Sequence, residues 1–373
     1  MMRPVGIYIH LPFCERKCAY CDFPSFPGQL QHRAEYTKKV MAEIGERADR
    51  LGSLQVDTVF LGGGTPSMME KGQIAAILRQ VRSRFEVLPD AEISCETNPG
   101  SLSEGFLEEL KGAGVNRLSL GAQSAHADEL ELLKRVHTWE QVVASVQMAR
   151  LAGFDNINLD LMSALPRQTW EKMRVTLKAA LELAPSHLSV YSLIIEEGTP
   201  FFARYENGEM VLPDDETERA IYWNTVRFLE QAGYAQYELS NFARDGKVCR
   251  HNLNTWRYHD YLGFGASAAG LYLGVRRKNP DDLFDYLQGV APAVDILSPA
   301  DARFEQLMLA LRLVEGLSLD AFVRRQGISA LKLWPEAIKA HIQGGLLTLT
   351  GGRLKPSRLG FDLMDRALLD FLP

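Results

Sequence analysis

Short apolar runs alternate with amphipathic stretches through the first two-thirds of the chain. Residues 5–13 read as a strand and 33–50 as a helix. The same pairing recurs at 57–61 with 71–85, 91–96 with 104–112, 117–120 with 139–152, 156–161 with 169–183, and 187–193 with 215–232. The strands read as β-branched and apolar on both faces, the helices as apolar on one. Six consecutive strand–helix units predict an α/β fold with a parallel sheet and right-handed crossovers. Six are too few to close an eightfold barrel, so an open, partial (β/α)6 barrel is expected.

Beyond about residue 233 the alternation stops. Residues 234–270 are rich in aromatics, Gly, Asn and His. From about 300 the pattern becomes short helices, at 303–314, 319–325 and 329–343, with Ser329 placed to cap the third. A hairpin at 346–349 and 353–356 around Gly351-Gly352 follows, then a helix at 359–369. Helices followed by a hairpin predict a small winged-helix-like module. The expected division is a barrel over 1–232, a barrel extension over 233–298 and this module over 299–373.

The chain has 373 residues, 46% hydrophobic and 24% charged, which suits a globular protein with more than one core. A net charge of −6 opposes nucleic-acid binding, which needs a positive surface, so no nucleic-acid partner is expected and the C-terminal module reads as a cap. Five cysteines, three of them crowded together, do not form a disulfide framework. Reduced thiols, and a start without an apolar signal segment, predict a cytoplasmic protein. The best apolar stretch, 262–275, is too short to span a bilayer.

In a parallel barrel the loops after the strands build the site. Cys14, Cys18 and Cys21 follow the first predicted strand, Gly62-Gly-Gly-Thr-Pro66 the second, Glu96-Thr-Asn-Pro99 the third and Gly121-Ala-Gln-Ser124 the fourth. Asp160 and Tyr191 lie near the ends of the fifth and sixth. Three cysteines within eight residues suit a cubane iron–sulfur cluster whose fourth iron carries no thiolate. The rival is zinc completed by His10, Cys95 or Cys249. Otherwise Cys95 reads as a buried apolar residue and Cys249 as a loop thiol. The glycines would let backbone approach a ligand. Glu96, Gln123 and Asp160 offer polar contacts, and Arg135 a partner for a carboxylate.

Cys-x3-Cys-x2-Cys with Tyr20 before its last cysteine, followed by Gly-Gly-Gly-Thr-Pro, resembles the radical S-adenosylmethionine (SAM) superfamily. Tyr8-Ile-His-Leu-Pro-Phe-Cys14, Gly62-Gly-Gly-Thr-Pro-Ser67, Asn158-Leu-Asp-Leu-Met162, Leu165-Pro-Arg-Gln-Thr169 and Tyr237-Glu-Leu-Ser-Asn-Phe-Ala243 narrow the match. Together they resemble the oxygen-independent coproporphyrinogen III oxidase-like branch, and within it the HemW heme-chaperone family. The resemblance implies a [4Fe–4S] cluster on Cys14, Cys18 and Cys21. It implies a SAM site lined by Tyr8, Gly63, Gly64, Thr65, Glu96, Gln123, Arg135 and Asp160, in which SAM chelates the open iron and is cleaved to a 5′-deoxyadenosyl radical. The oxidase carries a further cysteine where this chain has Phe23, and a longer segment ahead of its cluster loop; only 13 residues precede Cys14 here.

His251-Asn-Leu-Asn-Thr-Trp256 resembles the family's His-Asn-x-x-Tyr-Trp heme motif, with Thr255 in place of its tyrosine, and so implies His251 as a heme ligand, with His259 or Cys249 as substitutes. The implied activity is heme binding and delivery to acceptors such as respiratory enzymes, with an electron donor for the cluster; a homodimer is compatible. The alternative is an oxygen-independent coproporphyrinogen III dehydrogenase or another tetrapyrrole-modifying radical enzyme.

Overall fold

The computed structural model describes residues 3–373. The predicted alternation is present as β1 (Val5–Leu11), α1 (Arg33–Leu51), β2 (Gln55–Gly63), α2 (Gln73–Arg84), β3 (Glu86–Thr97), α3 (Glu104–Gly112), β4 (Arg117–Gln123), α4 (Ala127–Leu132), α5 (Trp139–Leu151), β5 (Ile157–Ser163), α6 (Trp170–Glu182), β6 (His187–Ser192), α7 (Pro200–Glu206) and α8 (Asp215–Gln231). Strands β1 to β6 pair in parallel and in chain order. The short helices α4 and α7 are additions that the hydrophobic pattern did not announce.

The segment after α8 extends both flanks of this sheet. It forms β7 (Ala235–Gln236), β8 (Asn241–Ala243), α9 (Arg250–Trp256), β9 (Tyr261–Phe264), β10 (Ala269–Tyr272), β11 (Val275–Lys278), α10 (Leu283–Gln288) and β12 (Ala293–Ile296). Strand β8 joins β6 antiparallel, and β9 joins β1 as a seventh parallel strand. Strands β10 to β12 continue outward from β9 in antiparallel fashion. The twelve-stranded sheet ends at β12 and β7, which do not pair, so the barrel is open.

One sequence expectation is corrected here: the strands are not apolar on both faces. Ile7, Ile9, Val59, Leu61, Ile93, Leu118, Leu120, Leu159 and Leu188 join the helices in one large core. The alternate positions face the lumen and are mostly polar: Tyr8 and His10, Thr58 and Phe60, Glu92, Ser94 and Glu96, Arg117 and Ser119, Asn158 and Asp160, His187 and Ser189. Period-two alternation is what a sheet with one greasy and one polar face requires. Many of these polar positions hydrogen-bond one another, as buried polar groups usually do, whereas Arg117 Nε is buried without a partner.

The C-terminal module comprises α11 (Pro299–Ala310), β13 (Leu317–Ser318), α12 (Leu319–Gln326), α13 (Ala330–Leu333), α14 (Pro335–Gln343), β14 (Leu347–Thr350), β15 (Arg353–Pro356), α15 (Arg358–Asp362) and α16 (Met364–Leu368). Its three strands lie in the order β13-β15-β14, the arrangement of a winged helix. It has its own core, including Leu307, Phe322, Ile338, Leu354 and Phe371. The predicted helix over 329–343 is two helices, because Pro335 lacks the N–H that a continuous helix needs and opens a new one at its first position. Ser329 does cap, its Oγ accepting from the Leu331 N–H at 3.3 Å. Trp223 Nε1 donates to Asp362 Oδ1 at 2.8 Å and Arg325 pairs with Asp260 at 2.6 Å, tying the module to the barrel. No helix among the described residues is long and apolar enough to cross a membrane.

Candidate functional site

The loop leaving β1 carries the three cysteines, and backbone bonds hold its course. Phe26 N–H donates to Pro12 O at 2.7 Å, Cys21 N–H to Cys18 O at 3.3 Å, and Ala19 N–H to Leu133 O at 3.2 Å. Ala19 also accepts from Phe201 N–H and packs with Leu133, Met162, Leu165 and Phe201 in a small apolar cluster. Cys14, Cys18 and Cys21 are free, partly buried, and line one cavity of about 450 Å³. Burial pushes the Cys14 thiol up, and the Cys21 thiol up to about 11, so their thiolates need a cation to form near neutrality.

That donor set fits a cubane better than zinc. Among the described residues, no three His, Cys, Asp or Glu side chains converge tightly enough to hold one metal ion. His10 is engaged on both nitrogens, by the Tyr8 hydroxyl at 2.9 Å and by Pro24 O at 2.8 Å. Cys95 lies in the apolar core. Cys249 is not the loop thiol expected: it is fully buried at the start of α9, with Sγ 3.6 Å from Glu92 Oε1. A cubane puts each cysteine on a different iron and does not require convergence on one point.

Gly63, Gly64, Thr65, Glu96, Gln123, Arg135 and Asp160 line the same cavity as the cysteines. Tyr8 is not among its lining residues; its ring lies behind the wall, 6.2 Å from Phe60 and 6.5 Å from His251. The glycines have a second reason to be glycines. A Cβ on Gly62 would stand 2.6 Å from Glu96 Oε2, and one on Gly64 2.7 Å from Leu11 O, so they let β1, β2 and Glu96 pack together as well as baring backbone to the cavity. Gln123 sits at φ +64° beside a register shift in β4. A left-handed non-glycine residue at a strand end is strained and typical of a site.

Arg135 is the hub of the wall. It donates to Asn98 Oδ1 at 2.7 Å, Gly121 O at 2.8 Å and Cys18 Sγ at 3.4 Å, while its Nε is buried without a partner. Asn98 in turn donates to Thr65 Oγ1, which lies 3.4 Å from Cys14 Sγ. Asp160 accepts from Ser119 Oγ at 3.0 Å and Asn158 Nδ2 at 2.8 Å; burial raises its carboxyl, opposed by these bonds. Glu96 Oε2 accepts from the Gly63 N–H at 2.9 Å, and burial with the nearby Asp160 charge pushes its carboxyl up to about 7. Two buried carboxylates in one cavity favour a cationic, hydroxyl-bearing ligand, which relieves their repulsion and fills their remaining lone pairs. An ammonium, a sulfonium and a ribose are such groups, so the residues fit SAM. Ser119 escaped the sequence reading; its signal was the polar alternation along β4.

His251 is not at this cavity. It lies on α9, is 8% exposed, and faces the base of the lumen. Its Nδ1 is 3.0 Å from Thr58 Oγ1, its ring stacks on Phe60 at 5.2 Å, and burial lowers its pKa to about 4.

Residues 8–180 match the Radical SAM superfamily, and residues 297–363 match the HemN C-terminal domain. The chain is 37% identical over 347 residues to heme chaperone HemW of Bacillus subtilis (strain 168), covering 91% of this chain and 92% of that protein. It is 34% identical over 355 residues to heme chaperone HemW of Escherichia coli (strain K12), covering 92% of each. The solved structure of coproporphyrinogen III oxidase (HemN) from Escherichia coli, described as a radical SAM enzyme, superposes with a TM-score of 0.85 at 27% identity, covering 99% of this chain and 90% of that one. The chain therefore belongs to the radical SAM superfamily, in the family of the heme chaperone HemW.

Proposed function

We propose that this protein is a heme chaperone that holds a [4Fe–4S] cluster on Cys14, Cys18 and Cys21, binds SAM beside it, and delivers heme to acceptor proteins. The observation that carries this reading is kinship over nine-tenths of the chain with proteins named heme chaperone HemW. Membership of the radical SAM superfamily implies the cluster and SAM. When bound, they supply one-electron chemistry at an open iron.

The chain's own residues bind and orient. Arg135 neutralises charge at Cys18 and, lining the cavity, places a guanidinium beside any anionic ligand group. Asp160, steadied by Ser119 and Asn158, accepts from ligand hydroxyls, and Glu96 holds the Gly63 amide while presenting its other oxygen. Gln123 adds a polar contact at the strained end of β4. At the rim, position 23 is a phenylalanine, 57% exposed, so no fourth thiol stands beside the trio.

The experiment is anaerobic: load the protein with hemin, add a heme-free acceptor, and follow heme movement by absorbance. Transfer that depends on this protein supports the reading; none overturns it. Incubating the reconstituted protein with coproporphyrinogen III, SAM and a reductant tests the alternative, and decarboxylated product would replace the chaperone reading. For the heme ligand implied by the motif, hemin titration of His251→Ala decides: binding equal to wild type removes His251 from that role.

A further inference from the structure

His251 is shut away from the role that its motif implies. Its Nδ1 is held 3.0 Å from Thr58 Oγ1, and Phe60 covers one face of its ring. The β1 backbone is close on another side: a Cβ on Gly6 would stand 3.4 Å from its Cε1 and Nδ1. With 8% of the residue exposed, a flat macrocycle cannot bring its iron to that imidazole while α9 stays where it is.

The hold on α9 is polar and concentrated at its first residues. Glu92 accepts from the Arg250 N–H at 3.0 Å and the His251 N–H at 3.2 Å, with Cys249 Sγ 3.6 Å away. The Cys249 N–H donates to Tyr237 Oη at 3.2 Å, and Asn254 Nδ2 donates to the Asp57 carboxylate at 3.1 and 3.2 Å. The apolar hold is slight: within Arg250–Trp256, Leu253 is the one buried hydrophobic side chain. A seven-residue helix adds little stability of its own. The flanks suit a hinged element. Residues 245–247 ahead of it are exposed, and Asp245 and Gly246 both have positive φ. Behind it, Arg257 pairs with Glu315 at 2.9 Å and Tyr258 Oη donates to Glu305 Oε2 at 3.3 Å, so the far end is moored to the C-terminal module. Segments with few buried apolar contacts are the ones that open locally.

We propose that α9 is a latch on the heme site: its first turn swings out of the lumen about the end moored at Arg257, baring His251, and only this opened form takes up heme. The inference rests on the heme reading above and adds a gate to it. Glu92 is the catch, because one buried carboxylate holds both of the helix's first two amides. When the competent form is a minor one, apparent affinity falls by its fraction and uptake cannot outrun opening.

The test uses the full chain as wild type, Glu92→Gln and Asn254→Ala, with circular dichroism to check the fold. Maleimide labelling followed by peptide mass spectrometry reads opening without heme. Cys249 is sealed in the closed latch, and Cys95, equally buried in the barrel core, is the internal reference. Cys249 labelling should be slow in wild type and about tenfold faster in Glu92→Gln, which takes the charge out of two amide bonds. It should also be faster in Asn254→Ala, while Cys95 labelling stays constant. Stopped-flow mixing with hemin should give a wild-type rate that levels off as hemin is raised, at a plateau that rises in both variants in step with Cys249 labelling. A wild-type rate that climbs linearly with hemin, or Cys249 labelling unchanged in both variants, overturns the latch and leaves the heme reading standing. Cys95 labelling that rises together with Cys249 means that the whole barrel loosens, which overturns the latch too. No hemin binding by any form removes the heme reading and the gate with it.

Discussion

Arg135 donates from Nη1 to Cys18 Sγ across 3.4 Å, so the side chain that braces the ends of β3 and β4 also touches the cysteine loop. One guanidinium thus sets the distance between the thiols and the carboxylate wall. Arg135→Gln should lower unfolding stability by about 1.5–3 kcal/mol, the usual worth of charged hydrogen bonds, and reduce iron retained per chain after anaerobic reconstitution. Denaturant unfolding and iron analysis measure the two effects. Wild-type values for both would mean that the contact is incidental.

His187 links the cavity to the segment after α8. Cys249 N–H donates to Tyr237 Oη at 3.2 Å, the Tyr237 hydroxyl to His187 Nε2 at 2.7 Å, His187 Nδ1 to Asn158 Oδ1 at 2.6 Å, and Asn158 Nδ2 to Asp160 Oδ1 at 2.8 Å. Every donor points toward the Asp160 carboxylate. Burial holds His187 neutral, consistent with this single tautomer. Tyr237→Phe strands His187 Nε2 and the Cys249 amide at a cost of about 1–3 kcal/mol. It should also weaken SAM binding by freeing the far end of the chain that steadies Asp160. Urea midpoints and calorimetric SAM titration check this; a variant unchanged in both would break the proposed coupling.

Glu238 gives a pH dependence with a definite sign. It is buried beside the bridge to Leu313, accepts from Ser240 N–H at 3.0 Å, and is pushed by burial from an ordinary 4.5 up to about 7. A carboxyl raised in the folded state contributes stability that is fully present below its unfolded pKa and is lost as pH rises through its folded one. Between about pH 4.5 and 7 this group alone removes about 1–3 kcal/mol. Glu238→Gln should abolish that component, so the stability gap between variant and wild type should widen in the variant's favour from pH 5 to pH 8. Thermal melts at both pH values test it, and a constant gap would refute the assignment.

Gly64 lies where chemistry and packing meet. A methyl there meets the backbone at the end of β1 and just beyond it, at Leu11 O and Pro12 C, neither of which is a flexible side-chain end. Gly64→Ala should destabilise by about 1–3 kcal/mol, as overpacking does, and depress cluster loading with it. Normal folding together with normal loading would show that the two segments can separate.

The βα alternation was legible because each apolar run faces a continuous helix-covered core, the strongest signal a chain carries. The polar lining was not, because strand windows such as Arg117-Leu-Ser-Leu were read as apolar runs rather than as alternation. Strands β9 to β12 escaped for a different reason: each has four residues, with glycines at Gly263 and Gly270 where Cβ atoms would strike the facing backbone. Seven expected residues besides the cysteines do line the cavity, and all but Arg135, which follows α4, announced themselves as polar or glycine residues at or near strand ends. Tyr8 and His251 were read from motifs, and a motif does not say which way a side chain points; both face the inner lumen.

The most direct test is anaerobic reconstitution of the full chain with iron and sulfide, followed by EPR of the reduced protein with and without SAM. The account predicts about four irons per chain, lost in Cys14→Ser, Cys18→Ser and Cys21→Ser, and a signal that changes when SAM is added. A single zinc ion, or a cluster spectrum indifferent to SAM, would contradict it.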